Sequence, residues 1–192
     1  MIMCMSDGFY EKALVVTNRH LCRRPFLEQI DWLARQRPAG ILLREKDLQP
    51  EEYERLATEV LSICERRQVP CTLHFYPEVA RNLGVSRIHL PLWKLEREDV
   101  SDFSWIGASV HSGPEAVKAQ RLGATYVTAG HVFATDCKRG LPPRGLEFLR
   151  EVCLSVQIPV YGIGGLNQNN CGQVLEQQAA GYCLMSSAMR AK

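Results

Sequence analysis

The hydrophobic positions of this chain fall into two alternating rhythms. Short solid apolar runs recur, and between them lie stretches whose apolar residues return every three or four positions. The solid runs read as buried strands and the periodic stretches as amphipathic helices. Ala13–Thr17 is the first run, followed by a helix with Phe26, Ile30, Leu33 and Ala34 on one face. Ala39–Arg44 is the second. Pro50-Glu51-Glu52 then opens a helix carrying Tyr53, Leu56, Ala57, Val60, Leu61 and Cys64. Proline and acids suit a first turn, where N–H groups are unpaired and the dipole is positive. Further runs are Cys71–His74, Ser86–Leu90 (stopped by Pro91), Trp105–Val110, Thr125–Ala129, Ile158–Ile163 and Tyr182–Met185. The spacing predicts helices reaching Leu83, over Glu115–Leu122, over Leu146–Val156, and from an Asn167 cap through Val174, Leu175 and Ala179.

Strands alternating with helices imply parallel βαβ units. Eight units most naturally close on themselves. The predicted class is α/β, a compact single-domain (β/α)8 TIM barrel over 1–192, with 1–9 a flexible N-terminal segment; a doubly wound open sheet is the alternative. Only Ser186 to Lys192 follow the last strand, so the final helix is short. That side of the barrel needs another cover, from the N-terminal segment or from a second copy in a homo-oligomer.

Charge narrows the function classes. There are 23 basic and 21 acidic residues, a net +2, which gives no concentrated positive charge for nucleic acid. No apolar run is long enough to span a membrane, and the first twelve residues, MIMCMSDGFYEK, lack the pattern of a secretory signal. A cytoplasmic protein with no nucleic-acid or membrane partner is expected. The 8 cysteines form no CxxC pair, which argues against zinc or a redox dithiol. Most are expected as small buried hydrophobes. Cys137 stands apart in a polar loop, where a nucleophilic role is weighed, though no feature there points to thiolate activation.

In a barrel, chemistry gathers at the carboxyl ends of the strands. Those ends carry Arg44, Glu45 and Lys46, then His74, His89, Ser109 and His111. The loop from His131 to Arg139 follows strand six, Gly164-Gly165 strand seven, and Ser186-Ser187 strand eight. Glycines that let backbone N–H groups approach, and serines that donate, suit a phosphate. His89 is expected to be structural, and Arg139 and Arg144 to be surface or loop-anchoring residues. The runs Glu65-Arg66-Arg67 and Glu96 to Asp99 read as solvated helix faces.

The segments Leu43-Arg44-Glu45-Lys46, Gly107 to Ser112 (GASVHS), Gly130 to Lys138 (GHVFATDCK) and Ile163-Gly164-Gly165 resemble the thiamine phosphate synthase superfamily. Within it they look most like the thiazole tautomerase branch, since the synthase branch usually has Gly-Pro at the place of Gly130-His131. The likeness runs from the first strand to Ser187. It implies a TIM barrel. In the synthase branch it implies coupling of a pyrimidine diphosphate to a thiazole phosphate with magnesium held by two aspartates. Here those positions fall on Phe75, after His74, and near Lys94, which offer a hard cation no oxygen.

The tautomerase branch implies an isomerase without metal or cofactor, aromatising a carboxythiazole phosphate with His131 as general acid and base. A histidine suits such a proton shift near neutral pH. The expected ligand is a small phosphorylated thiazole. It would be held by Arg44, Lys46, His74, Ser109, His111, Lys138, Gly164, Gly165, Ser186 and Ser187. The alternatives are thiamine phosphate synthase, or a non-catalytic protein that binds thiazole or thiamine phosphate for regulation.

Overall fold

The computed structural model describes residues 8–138 and 140–192, the side chain of Cys137 excepted. Eight parallel strands form a closed barrel in chain order. They are β1 (Ala13–Val16), β2 (Gly40–Leu43), β3 (Cys71–His74), β4 (Arg87–Pro91), β5 (Trp105–Val110), β6 (Tyr126–Gly130), β7 (Val160–Ile163) and β8 (Gly181–Leu184). Closure is made by β8 pairing with β1, Leu14 opposite Cys183. Around it run α1 (Phe26–Arg35), α2 (Pro50–Arg67), α3 (Pro77–Asn82), α4 (Leu92–Leu95), α5 (Gly113–Arg121), α6 (Gly145–Ser155), α7 (Cys171–Leu175) and α8 (Ser186–Met189). The expected barrel is therefore the observed one, and the open-sheet alternative falls away.

Why the strands read as solid apolar runs is plain from their burial: β1, β2, β3, β6 and β8 are buried at every position. Parallel strands carry helices on one side and the barrel interior on the other, so both faces avoid water. Alternate residues form two separate apolar clusters. The larger lies between strands and helices and includes Val15, Ile30, Leu43, Tyr53 and Leu149. The smaller fills the barrel with Leu14, Val16, Leu42, Tyr126 and Cys183, flanked by Trp105, Tyr161 and Ile163. The Arg87 guanidinium stacks over Trp105, 4.7 Å from its ring centre. Cys64, Cys71 and Cys183 are buried free thiols, as expected, whereas Cys22, Cys153 and Cys171 are half-buried.

Two local expectations need correction. Pro91 does not merely stop β4; it sits at the N-cap of α4, its φ of −59° already suited to helix entry. Asn167 caps no helix. Its Oδ1 accepts from Asn169 N at 2.8 Å, a turn of its own, and α7 begins only at Cys171. Asparagine competes for nearby backbone in this way.

The short last unit is covered by the same chain. Gln29 Nε2 donates to Ala188 O at 2.8 Å, and Arg24 donates to Ala191 O at 3.2 Å. Ala188 and Met189 are fully buried. At the amino-terminal end of the strands, Phe9 stacks on Tyr182, whose hydroxyl donates to Phe9 O. The expectation of a flexible N-terminal segment otherwise falls on residues 1–7, outside the described residues.

Candidate active site

A cavity of about 770 Å³ opens at the carboxyl ends of the strands. All the ligand-contact residues expected from sequence, and His131, line it. Parallel pairing brings this about, because each βα unit ends its strand at the same rim.

Two neighbouring strands supply the cationic side. Arg44 and Lys46 follow β2, and their backbone is braced from below. Glu45 is only 2% exposed, and its carboxylate accepts from the Thr17 hydroxyl at 2.6 Å and from the Arg19 backbone N–H and guanidinium at 3.1 Å. Arg44 N–H donates in turn to Thr17 Oγ1 at 2.9 Å. Glu45 is thus a buttress rather than a ligand group. Partial desolvation, and then the charges of Arg44 and Lys138, lower the pKa of Lys46. That repulsion places Lys138, on the loop after β6, within electrostatic reach of the residues after β2. Such a mutually repelling set is stabilised when an anion enters.

The floor holds two buried imidazoles. His74 and His89 stack with ring centres 6.0 Å apart. Burial, and then the Arg44 charge, push His89 down to about 3. His74 lies well below its ordinary value through burial, then through the charges of His89, Arg44 and Lys46. Both are therefore neutral at pH 7. His89 shares hydrogen bonds with Tyr126 Oη at 3.0 Å and Ser109 Oγ at 2.9 Å. A neutral imidazole has one donor and one acceptor, so one of these hydroxyls donates to it and the other accepts. The register explains the alignment: His89 pairs with Gly107, and Gly107 with Tyr126. A Cβ at Gly107 would lie 2.2 Å from His89 Nδ1, so only glycine leaves room for the ring. His74 is held through Tyr53, whose hydroxyl accepts from His74 N–H at 2.8 Å and donates to Leu43 O at 2.6 Å.

His111 Nδ1 lies 2.8 Å from Gly130 O. A carbonyl only accepts, so Nδ1 carries the proton and Nε2 is left for the cavity. His131 is 9% exposed, and its Nε2 donates weakly to Leu141 O at 3.4 Å. The Gly130–His131 peptide is cis.

The glycine pair after β7 sits directly beneath this loop. Gly164 and Gly165 have φ of +106° and +67°, and their Cβ atoms would lie 2.4 Å from His131 Cβ and from Ala134 O. They are required for the loop to pack as well as being suited to an anion. Ser187 Oγ donates to Leu166 O at 3.0 Å, so its hydroxyl is already engaged. The expected helix after β8 is α8, with 4 residues, too short to add much dipole to that rim.

Sequence reasoning missed Thr128 as a lining residue, reached Asp136 only as part of the loop after strand six, and placed His89 only as a structural one. The signal was available in the alternation of β6 and β4, whose inward phase is Tyr126, Thr128 and Arg87, His89. The weighed role for Cys137 concerns a side chain outside the described residues, and Arg139 also lies outside them.

The magnesium of the resembled synthases does not fit these residues. Among the described lining residues the one carboxylate is Asp136. Phe75 and Lys94 stand at the positions expected for aspartate, and no three His, Cys, Asp or Glu side chains converge among the described residues.

A closed parallel barrel with a cationic, glycine-rimmed mouth defines a class: a TIM-barrel protein with a site suited to phosphorylated small molecules. The family follows from comparison. The model of the thiamine monophosphate synthase family matches residues 13–188, and the chain belongs to that family. It is 30% identical to a thiamine-phosphate synthase of Clostridium acetobutylicum, over 98% of this chain and 91% of that one. It is 31% identical to a thiamine-phosphate synthase of Pyrococcus abyssi, over 96% and 90%. A solved structure, thiamine phosphate pyrophosphorylase from Pyrococcus furiosus, superposes with a TM-score of 0.82 at 28% identity, covering 96% of this chain and 90% of that chain.

These relatives correct the functional expectation. Full-length relatives near 30% identity are synthases, so the readings as a thiazole tautomerase and as an isomerase are overturned. The GHVFATDCK segment carried that reading, and one loop motif weighs less than similarity along the whole chain. The wider expectation, membership of the thiamine phosphate synthase superfamily, stands. No helix among the described residues is long and apolar enough to cross a membrane.

Proposed function

We propose that this chain is a transferase that joins a phosphorylated thiazole to a pyrimidine diphosphate, giving thiamine phosphate and free diphosphate. The observation that carries the reading is the pair of anion-suited regions in one cavity. One is the rim of Gly164, Gly165 and Ser186; the other is the cationic set Arg44, Lys46 and Lys138. Two phosphorylated substrates need two such regions. In the coupling, the thiazole ring nitrogen supplies an electron pair to the pyrimidine methylene carbon. The bond from that carbon to the diphosphate oxygen breaks, and its electrons leave with the diphosphate. Negative charge therefore builds on the leaving oxygen, where fixed cations are most effective. Ser109, oriented by His89, offers a hydroxyl to the bound ligand, and the neutral His74 and His89 faces provide a flat floor for an aromatic ring.

Purified protein incubated with both substrates, with and without magnesium, is expected to form thiamine phosphate, read after oxidation to its fluorescent thiochrome. No product under either condition refutes the transferase. A second reading, a non-catalytic protein that binds the phosphorylated thiazole, is favoured by one observation: Phe75 and Lys94 where carboxylates are expected. Binding of thiazole phosphate without turnover would select it.

A further inference from the structure

The structure points to a cavity that takes its phosphorylated ligand as the metal-free anion, with a Phe75–Lys94 cation–π pair standing where the carboxylates of a divalent-cation site would be. The inference rests on the reading of this cavity as a site for phosphorylated substrates.

Phe75 follows β3 directly and has a φ of +75°. Glycine, asparagine and aspartate tolerate that left-handed backbone; for a bulky aromatic residue it is an outlier that surroundings must impose. The surroundings do impose it. Phe75 N–H donates to His89 O at 3.1 Å, and Tyr76 N–H donates to His74 O at 3.0 Å. The ring stacks near His74 at 6.0 Å and meets the edges of Tyr76 at 5.2 Å and Trp93 at 6.0 Å. Over its face lies the Lys94 ammonium, 4.8 Å from the ring centre. Lys94 is held there by Glu98 Oε1 at 2.8 Å, with its side chain only 17% exposed. The two positions are thus packed on each other. The chain keeps a backbone suited to aspartate but fills the place with a ring and a fixed cation.

Charge then decides which ligand can enter. Among the described lining residues Arg44, Lys46 and Lys138 face one carboxylate, Asp136. Glu45 is consumed by Thr17 and Arg19. A hard dication would meet three cations against the single carboxylate of Asp136. His74 and His89 are neutral, but imidazoles suit softer metals, and both ring nitrogens of His89 are already engaged. A bare di- or monophosphate meets the opposite situation, with three cations whose mutual repulsion it relieves.

The test is calorimetric titration of the whole chain with inorganic pyrophosphate, first with EDTA and then with excess magnesium. Binding is expected in EDTA, and magnesium should leave it unchanged or weaken it by pairing with the pyrophosphate in solution. Binding only with magnesium, or tightening by about tenfold or more, would overturn the inference while leaving the phosphate-site reading intact. Absence of pyrophosphate and inorganic phosphate binding under both conditions would overturn both. A second measurement follows the Mn²⁺ resonance signal by electron paramagnetic resonance. The wild-type chain should leave it unchanged, and a folded Phe75→Asp/Lys94→Asp variant should diminish it. Stoichiometric loss of the signal with the wild-type chain, or no loss with the folded variant, would refute the assignment of the pair to that place.

Discussion

Lowering the pH from 7.5 to 5 should destabilise this protein through its buried imidazoles well before its carboxylates matter. His89 is 2% exposed and is pushed down to about 3 from an ordinary 6.5, by burial and then by Arg44. A histidine with a depressed native pKa binds no proton in the fold below pH 6.5, while the unfolded chain does. Stability is therefore fully present above 6.5 and is lost as pH falls toward 3. Each unit in that window removes about 1.4 kcal/mol per group, so His89 alone costs about 2 kcal/mol at pH 5. His74, shifted in the same direction, adds to the loss. The lowered carboxylates Asp31, Asp47, Asp99 and Asp102 start from 3.8, so they contribute little above about pH 5 and join the loss only at the acid end of that window. Against a total stability of about 5–15 kcal/mol the histidine term is large. Urea unfolding midpoints at half-unit steps from pH 7.5 to 4.5, with histidine ring resonances followed by NMR, measure it. A midpoint that stays flat between pH 7 and 5, or an imidazole at position 89 that titrates near 6.5, would refute the reasoning.

Three other outcomes are expected. Gly107→Ala places a methyl 2.2 Å from His89 Nδ1 and 2.3 Å from Tyr126 Cζ, inside the barrel. It should destabilise by about 3 kcal/mol, the upper range for overpacking with loss of a buried hydrogen bond, read from denaturant midpoints. Tyr53→Phe leaves His74 N–H and Leu43 O without their hydroxyl partner, and should cost about 2 kcal/mol in the same assay. Arg44→Ala and Lys138→Ala should each weaken pyrophosphate binding by about tenfold or more while leaving unfolding midpoints nearly unchanged, the cost of losing one charge-assisted contact; equal affinity would remove these side chains from the anion site.

The elements and their order were legible in the sequence alone. Solid apolar runs gave strands buried on both faces, periodic ones gave helices, and eight repeats gave a closed barrel, because these signals are local and each strand faces the same environment. It also placed Arg44, Lys46, His74, Ser109, His111, His131, Lys138, Gly164 and Ser186 at strand ends, and parallel pairing then gathers them on one rim. What it did not determine was how those residues meet. The Glu45 buttress, the His89–Tyr126 contact across Gly107 and the reach of Lys138 toward Lys46 join residues far apart in the chain, and only the barrel's register and closure bring them together. The isomerase expectation failed for a different reason: it rested on one loop motif, and similarity along the whole chain points to synthases; the pairing of Phe75 with Lys94 and the charge of the whole cavity, by contrast, exist only once the strands have closed.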